Sequence, residues 1–257
     1  MRVVTIAVHT FKESVRQKVL YNLVAFALLL IGAAILFGSI SVGVERIILI
    51  TLGLTSISVF GLLISIFIGT DLVSKEIEHR TIYNILSKPV TRVEFILGKY
   101  LGLLLTLLVN TAIMTVGFYA ALLYQKRALG LGDLVFLGAI CFILLQLAMV
   151  VGIAVVFSCI STPVLSAVYT FCLFVIGNFS SDLRALGQET QSALLGMVTD
   201  ALYYALPNFA SFNVISQVAH GQSIPGYLWL GNPLYALLYI AILLGLAIMI
   251  FEEREFQ

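Results

Sequence analysis

Residues 71–99 read DLVSKEIEHRTIYNILSKPVTRVEFILGK and separate two apolar runs, 47–70 and 100–124, that carry no charge at all. The stretch itself holds nine of the 27 Lys, Arg, Asp and Glu residues of the chain. A charged, helix-prone segment between two long uncharged runs reads as a structured hairpin joining two membrane spans on one face of a bilayer.

The rest of the chain agrees with that reading. It is 61% apolar and 11% charged, against roughly 45–50% and about 25% in soluble domains. Six runs suit transmembrane helices, at about 20–40, 47–70, 101–124, 134–158, 164–181 and 232–251. In lipid the backbone satisfies its own hydrogen bonds, so the expected fold class is an all-α integral membrane protein of six helices. We expect one transmembrane domain over 1–257, with no separate soluble unit. The first run is too long for a signal-peptide core and has no cleavage motif after it, so it is read as a span.

Lys and Arg set the orientation. With the N-terminus inside, the inner segments carry ten (Arg2, Lys12, Arg16, Lys18, Lys75, Arg80, Lys88, Arg92, Lys99, Arg254), and the outer segments four (Arg46, Lys126, Arg127, Arg184). Both termini and 71–99 are therefore expected on the cytoplasmic side, and 182–230 outside. A net charge of +1 with no basic tract gives no reason to expect nucleic acid. Cys141, Cys159 and Cys172 fit no metal-ligand spacing and read as small apolar packing residues.

Several local signals refine the hairpin. Asp71–Lys75 and Glu76–Arg80 are acid-then-base pairs four apart, which support a helix. Span two is thus expected to continue past the membrane as one rod. Ile82, Ile85 and Leu86 make a short apolar stripe, with Thr81, Tyr83 and Asn84 beside it, before Lys88-Pro89 ends the turn. Thr91-Arg92-Val93-Glu94 is a capping box, and Val90 and Phe95 occupy the positions of a hydrophobic staple. A topogenic loop would explain the charges alone. An apolar stripe away from lipid, flanked by two reinforced ends, reads better as a docking helix.

Elsewhere, Val4, Val8, Phe11 and Val15 recur at helical spacing, so 1–18 reads as an interfacial helix. Gly61, Ser65 and Gly69 in span two, and Gly98, Gly102, Thr106 and Asn110 in span three, are small-residue stripes that permit close helix packing. Thr162-Pro163 and Asn232-Pro233 read as the starts of spans five and six. Trp229, Tyr235 and Tyr239 suit the outer part of the last span. In 182–230 an apolar stretch, Ala193 to Leu206, is too short to cross. With Phe209, Phe212, Val214 and Ile215 beyond Pro207-Asn208, it fits either a re-entrant segment or a pair of short surface helices.

No G-x-x-x-x-G-K-[ST] loop occurs, so the chain is not expected to bind or hydrolyse ATP itself. No span contains Asp, Glu, Lys, Arg or His, where proton- or ion-driven transporters usually bury an ionisable group. The histidines His9, His79 and His220 lie outside the spans and form no zinc or serine–histidine constellation. We therefore expect no catalytic residue, no bound metal and no cofactor in the chain. A secondary transporter, or a structural anchor without an ATPase, is the alternative reading. Polar residues within spans include Ser58, Ser65, Asn110, Gln146, Thr170 and Asn178. Their ordinary role is interhelical hydrogen bonding, and their alternative role is to line a substrate path.

The run from Glu76 to Gly102, E-x-E-x-R-T-I-x-x-x-L-S-K-P-V-x-R-x-E-F-x-x-G-K-x-x-G, resembles the cytoplasmic loop of ABC-2 type permeases, the membrane subunits of one class of ATP-binding-cassette transporters. The subgroup it is most similar to is that of permeases for multicopper-enzyme maturation, including nitrous oxide reductase maturation. Leu206–Asn213, L-P-N-F-x-x-F-N, resembles the same subgroup. His79-Arg80 departs from many members of the wider family, which carry Gly before the Thr. The resemblance implies a coupling helix that docks on a separate ATPase subunit, with Glu76, Glu78, Arg80, Thr81, Ile82, Ile85 and Leu86 at that contact. Pro89, Thr91 and Glu94 would form the turn and cap. It also implies ATP and Mg bound by the partner ATPase, a second permease copy, surrounding membrane lipid and, outside, an accessory protein. Spans two and five would wall the path, which selects Ser58, Ser65, Thr170 and Asn178. The expected location is the inner (cytoplasmic) membrane.

Overall fold

The structure is a computed structural model. It describes residues 2–41, 43–78, 91–126, 130–180, 182, 184–185, 199–200, 203 and 206–253, with side chains except at 71–78, 126, 131 and 253. Among the described residues there is no strand. The helices are α1 (Arg2–Val15), α2 (Lys18–Ile40), α3 (Glu45–Glu78), α4 (Arg92–Lys126), α5 (Val135–Ile160), α6 (Pro163–Asn178), the short α7 (Ile215–Ala219) and α8 (Leu228–Glu253). Single 3-10 turns precede α5 and α7, at Leu131–Leu134 and Ala210–Phe212.

Five helices, α2, α3, α4, α5 and α8, are long and apolar enough to cross a membrane, and α6 is a shorter apolar helix of 16 residues. At about 1.5 Å per residue α6 is roughly 24 Å long, less than the roughly 30 Å of a hydrocarbon core. By the same measure α3, with 34 residues, and α4, with 35, are each about 50 Å long and overshoot that core. The unbroken run of α3 to Glu78 is the rod expected past span two.

α5 is the central helix. Of its most apolar stretch 72% is buried, against 28% for α2 and 22% for α8. The small-residue stripe of α3 is what lets α5 approach. A Cβ at Gly61 would come within 2.4 Å of the Leu147 side chain, and one at Gly69 within 2.5 Å of Ala154. Lipid and Leu side chains are equally apolar, so helix association here rests on such contact rather than on escape from water.

Two expected helix starts differ in detail. Thr162 does precede Pro163 at the first position of α6, but its side chain makes no cap; its carbonyl accepts the Ser166 N–H at 2.9 Å instead. The last helix begins at Leu228, not at Asn232-Pro233, and Pro233 lies inside it. Asn232 does not cap because its amide donates to the Ser211 carbonyl at 2.9 Å, tying α8 to the segment before it.

That segment, 206–219, packs into the bundle. Phe209, Phe212, Val214 and Val218 are all buried. The Phe209 N–H donates to the Gly177 carbonyl at 3.2 Å, and a Cβ on Gly177 would strike the Pro207 carbonyl at 2.5 Å. Tyr235 of α8 accepts the Asn208 N–H at 3.0 Å. The chain from Leu206 thus fills the space beyond the end of α6. Most of Ala193 to Leu206 lies outside the described residues.

Candidate functional site

The root of the 71–99 hairpin is built from three fastenings. The first is the capping box. The Thr91 N–H donates to Glu94 Oε2 at 3.0 Å, and the Glu94 N–H donates to Thr91 Oγ1 at 3.2 Å. Both satisfy backbone groups that a helix start leaves free. The bond from the Thr91 N–H, with Arg2 nearby, holds the exposed Glu94 carboxyl below its ordinary value of 4.5.

The second fastening joins the start of α4 to the end of α8. Arg92 donates to the carbonyl of Phe251 at 3.1 Å and to that of Glu252. These are last-turn carbonyls, where the helix dipole favours a cation. One turn on, the Phe95 ring stacks on Phe251 with centroids 5.6 Å apart and planes 16° apart. Phe95 is therefore packed on α8; Val90, the other half of the expected staple, lies outside the described residues.

The third fastening seats α1 on α4. A Cβ at Gly98 would meet Ile6 at 2.7 Å, and one at Gly102 would meet the Ala7 carbonyl and Thr10 at 2.6 Å. The glycine stripe of span three is the bed of the N-terminal helix. The buried side of α1 is formed by Thr10 and Ser14, while Val4 and Val8 of the expected apolar stripe are exposed on the other side. One face thus meets protein and the other is exposed. Lys99, buried among these elements, has its Nζ 3.9 Å from Glu13 and 5.8 Å from the centre of the Phe95 ring. Burying the ammonium costs free energy, and the Glu13 carboxylate and the neighbouring ring face offset part of that cost.

Of the residues assigned to ATPase contact, Glu76 and Glu78 lie in the last turns of α3, described as backbone. Arg80, Thr81, Ile82, Ile85, Leu86 and Pro89 lie outside the described residues, as do the side chains of the Asp71–Lys75 and Glu76–Arg80 pairs.

The four path residues separate into two kinds. Ser65 and Thr170 are fully buried and bond back along their own helices, to the Gly61 carbonyl at 2.8 Å and the Ser166 carbonyl at 2.7 Å. Ser58 and Asn178 instead line one cavity of about 180 Å³, with Gln146, Asn213, Ile143, Phe174, Val175, Phe179 and Ile215. Walls come from α3, α5, α6 and the 206–219 segment. Ser58 lies about 20 Å along α3 from Glu45, and Gln146 about 16 Å along α5 from Val135, so the cavity is deep in the bundle. A wider cleft of about 780 Å³ between α2, α3 and α4 is lined by Ile35, Ser39, Glu45, Tyr124 and Gln125, and by none of the four.

Asn213 was not among the sequence candidates. Its position in the long segment before the last helix carried no signal of depth; only the tertiary course of 206–219 brings it to the cavity that Ser58 also lines. Arg92 was legible as a charge and a motif match, but its partners sit some 160 residues away.

These helices define a multi-pass membrane protein. The chain matches the ABC-2 family transporter proteins over residues 4–256 and belongs to that family. No curated protein matches it.

Proposed function

We propose that this chain is the permease subunit of an ATP-binding-cassette transporter in which a separate ATPase binds ATP and Mg and drives movement of a substrate across the membrane. The chain itself is non-catalytic in this reading. Membership of the ABC-2 family supports the transporter assignment. The observation that carries the coupling is the triple fastening at the hairpin root. An element that relays force needs ends that do not yield, and Thr91–Glu94, Arg92 with Phe95 on α8, and α1 on Gly98 and Gly102 supply them.

On this reading, the stripe Ile82, Ile85 and Leu86, with Glu76, Glu78, Arg80 and Thr81, meets the ATPase. Two permeases pair with two ATPases in the inner membrane, with both termini and the hairpin cytoplasmic. An accessory protein on the outer side, and membership of the multicopper-enzyme maturation subgroup, rest on the sequence motifs alone.

The test is pull-down of an ATP-binding-cassette ATPase subunit from the native membrane, and transport-linked ATP hydrolysis in reconstituted membranes. The Ile85→Asp, Leu86→Asp double variant should insert normally and lose the ATPase, because docking would bury two charges without partners. Wild-type binding and hydrolysis by that variant would remove the stripe from the coupling surface.

A further inference from the structure

The cavity between α3, α5 and α6 carries an inference that does not depend on the ATPase reading. Gln146 lies against it with only 4% of its surface exposed, and its amide makes no hydrogen bond to any described residue. The amide is not sealed within protein but opens onto the cavity. The cavity is where its partner can sit.

The rest of the lining restricts what that partner is. No lining residue is ionisable. A charged ligand would be buried without a counter-charge, which excludes bare ions and phosphates. The polar capacity is small. The Asn178 amide nitrogen is committed to the Phe174 carbonyl at 3.0 Å, and Asn213 Oδ1 accepts the Ile215 N–H at 3.4 Å. What remains is the Gln146 amide, the Ser58 hydroxyl, Asn178 Oδ1 and Asn213 Nδ2. The volume is about 180 Å³, and the four polar side chains stand on an otherwise apolar wall of Ile143, Phe174, Val175, Phe179 and Ile215. That combination suits one molecule with a compact hydrogen-bonding end and an apolar body, because water leaves the apolar wall without a matching partner. The mouth is consistent with this, since Phe179 and Asn213 are exposed there while Gln146 lies within.

We propose that this cavity binds a neutral amphiphile through a head bearing hydroxyl or carbonyl groups, with Gln146 as the principal contact and Ser58 as the second. A neutral glycerolipid and a free polyol share the head chemistry, and the experiment separates them. Full-length protein in phosphatidylcholine nanodiscs is titrated with tritiated dioctanoylglycerol in a scintillation proximity assay. Unlabelled dioctanoylglycerol, glycerol and dioctanoyl phosphatidate serve as competitors.

The expected result is saturable binding that phosphatidate does not displace. Resistance to millimolar glycerol is expected, and displacement by it would overturn the amphiphile by showing that the site takes a free polyol head alone. Gln146→Leu removes a donor and an acceptor and should weaken binding about tenfold, while Ser58→Ala, which removes one bond, should weaken it about threefold. Gln146→Leu should also unfold at a temperature no lower than wild type in the absence of probe, since it removes an unpaired amide. Should it fail to fold, Ser58→Ala alone decides. Absence of saturable binding for the diacylglycerol and displacement by nothing, affinity unchanged in the variants, or competition by phosphatidate equal to that of dioctanoylglycerol would each overturn the proposal.

Discussion

The two ends of the bundle are fastened in different proportions of polar links and ring packing. At the end that carries α1, the links are directional and polar: Arg92 on the last carbonyls of α8, the Thr91–Glu94 box, and Lys99 beside Glu13. At the end that carries Trp229, ring packing is more extensive and stands beside polar links such as Asn232 to the Ser211 carbonyl and Arg184 to Asp200. Phe209 packs on Phe174 at 5.3 Å, Tyr235 on Phe212 at 6.3 Å, and Trp229 on Phe142 at 5.5 Å. Directional bonds fix orientation and suit a part that transmits force. Ring packing around an inserted loop fixes volume less completely, and it is beside that loop that the Gln146 cavity lies. The contrast assigns stiffness to one end and space to the other.

The sharpest way to break the contrast is to unseat α1. Gly102→Leu should cost about 3 kcal/mol, because the added atoms collide with the Ala7 backbone rather than with a flexible side-chain tip. Thermal unfolding and faster proteolysis within 1–17 would report it. Gly245→Leu is the control: nothing lies within 4 Å of its Cβ position, and the midpoint should stay within about 0.5 kcal/mol of wild type.

Arg92→Ala should cost about 2 kcal/mol, the range for hydrogen bonds to a charged group. Hydrogen exchange should quicken at 248–253 and not at the Trp229 end of α8. Equal quickening at both ends would show that the link is not local. Arg92→Lys should recover only part, since an ammonium cannot fork between two carbonyls as a guanidinium does.

Thr91→Ala should cost about 1 kcal/mol, the usual worth of a cap. The cap also has a pH signature. Glu94 is held below 4.5 in the folded state, so its contribution is fully present above the unfolded value. It is lost as pH falls through the lower, folded value. A melting series taken downward from pH 6 should show this loss in wild type and a flatter profile in Glu94→Gln.

The smallest effect belongs to Ser65→Ala. Its hydroxyl bonds only its own helix, at Gly61, so stability should change by less than about 0.5 kcal/mol. Probe binding in the neighbouring cavity should not change at all. A loss of binding there would mean that Ser65 and Ser58 act together, and the division of the path residues into two kinds would fail.

The fold class was legible because bilayer thickness imposes a length and an apolar composition on any crossing helix, and 47–70 and 100–124 announce both. The capping box was equally legible, since Thr91 and Glu94 interact across three residues and need nothing distant. The small-residue stripes were readable as places of close approach, but not by whom. Spacing along one helix says nothing about which helix arrives, and only the packed structure gives Gly61 and Gly69 to α5 and Gly98 and Gly102 to α1. Likewise Ser58 and Ser65 are identical in sequence terms, seven residues and two turns apart on α3. Their difference depends on where 206–219 inserts. The sequence alone determined the class and the Thr91–Glu94 cap, because these follow from short-range chemistry and the bilayer. Tertiary structure alone decided that Arg92 reaches the end of α8, that Asn232 holds Ser211, and that Gln146 is left facing a cavity. Each of these depends on the meeting of segments far apart in the chain.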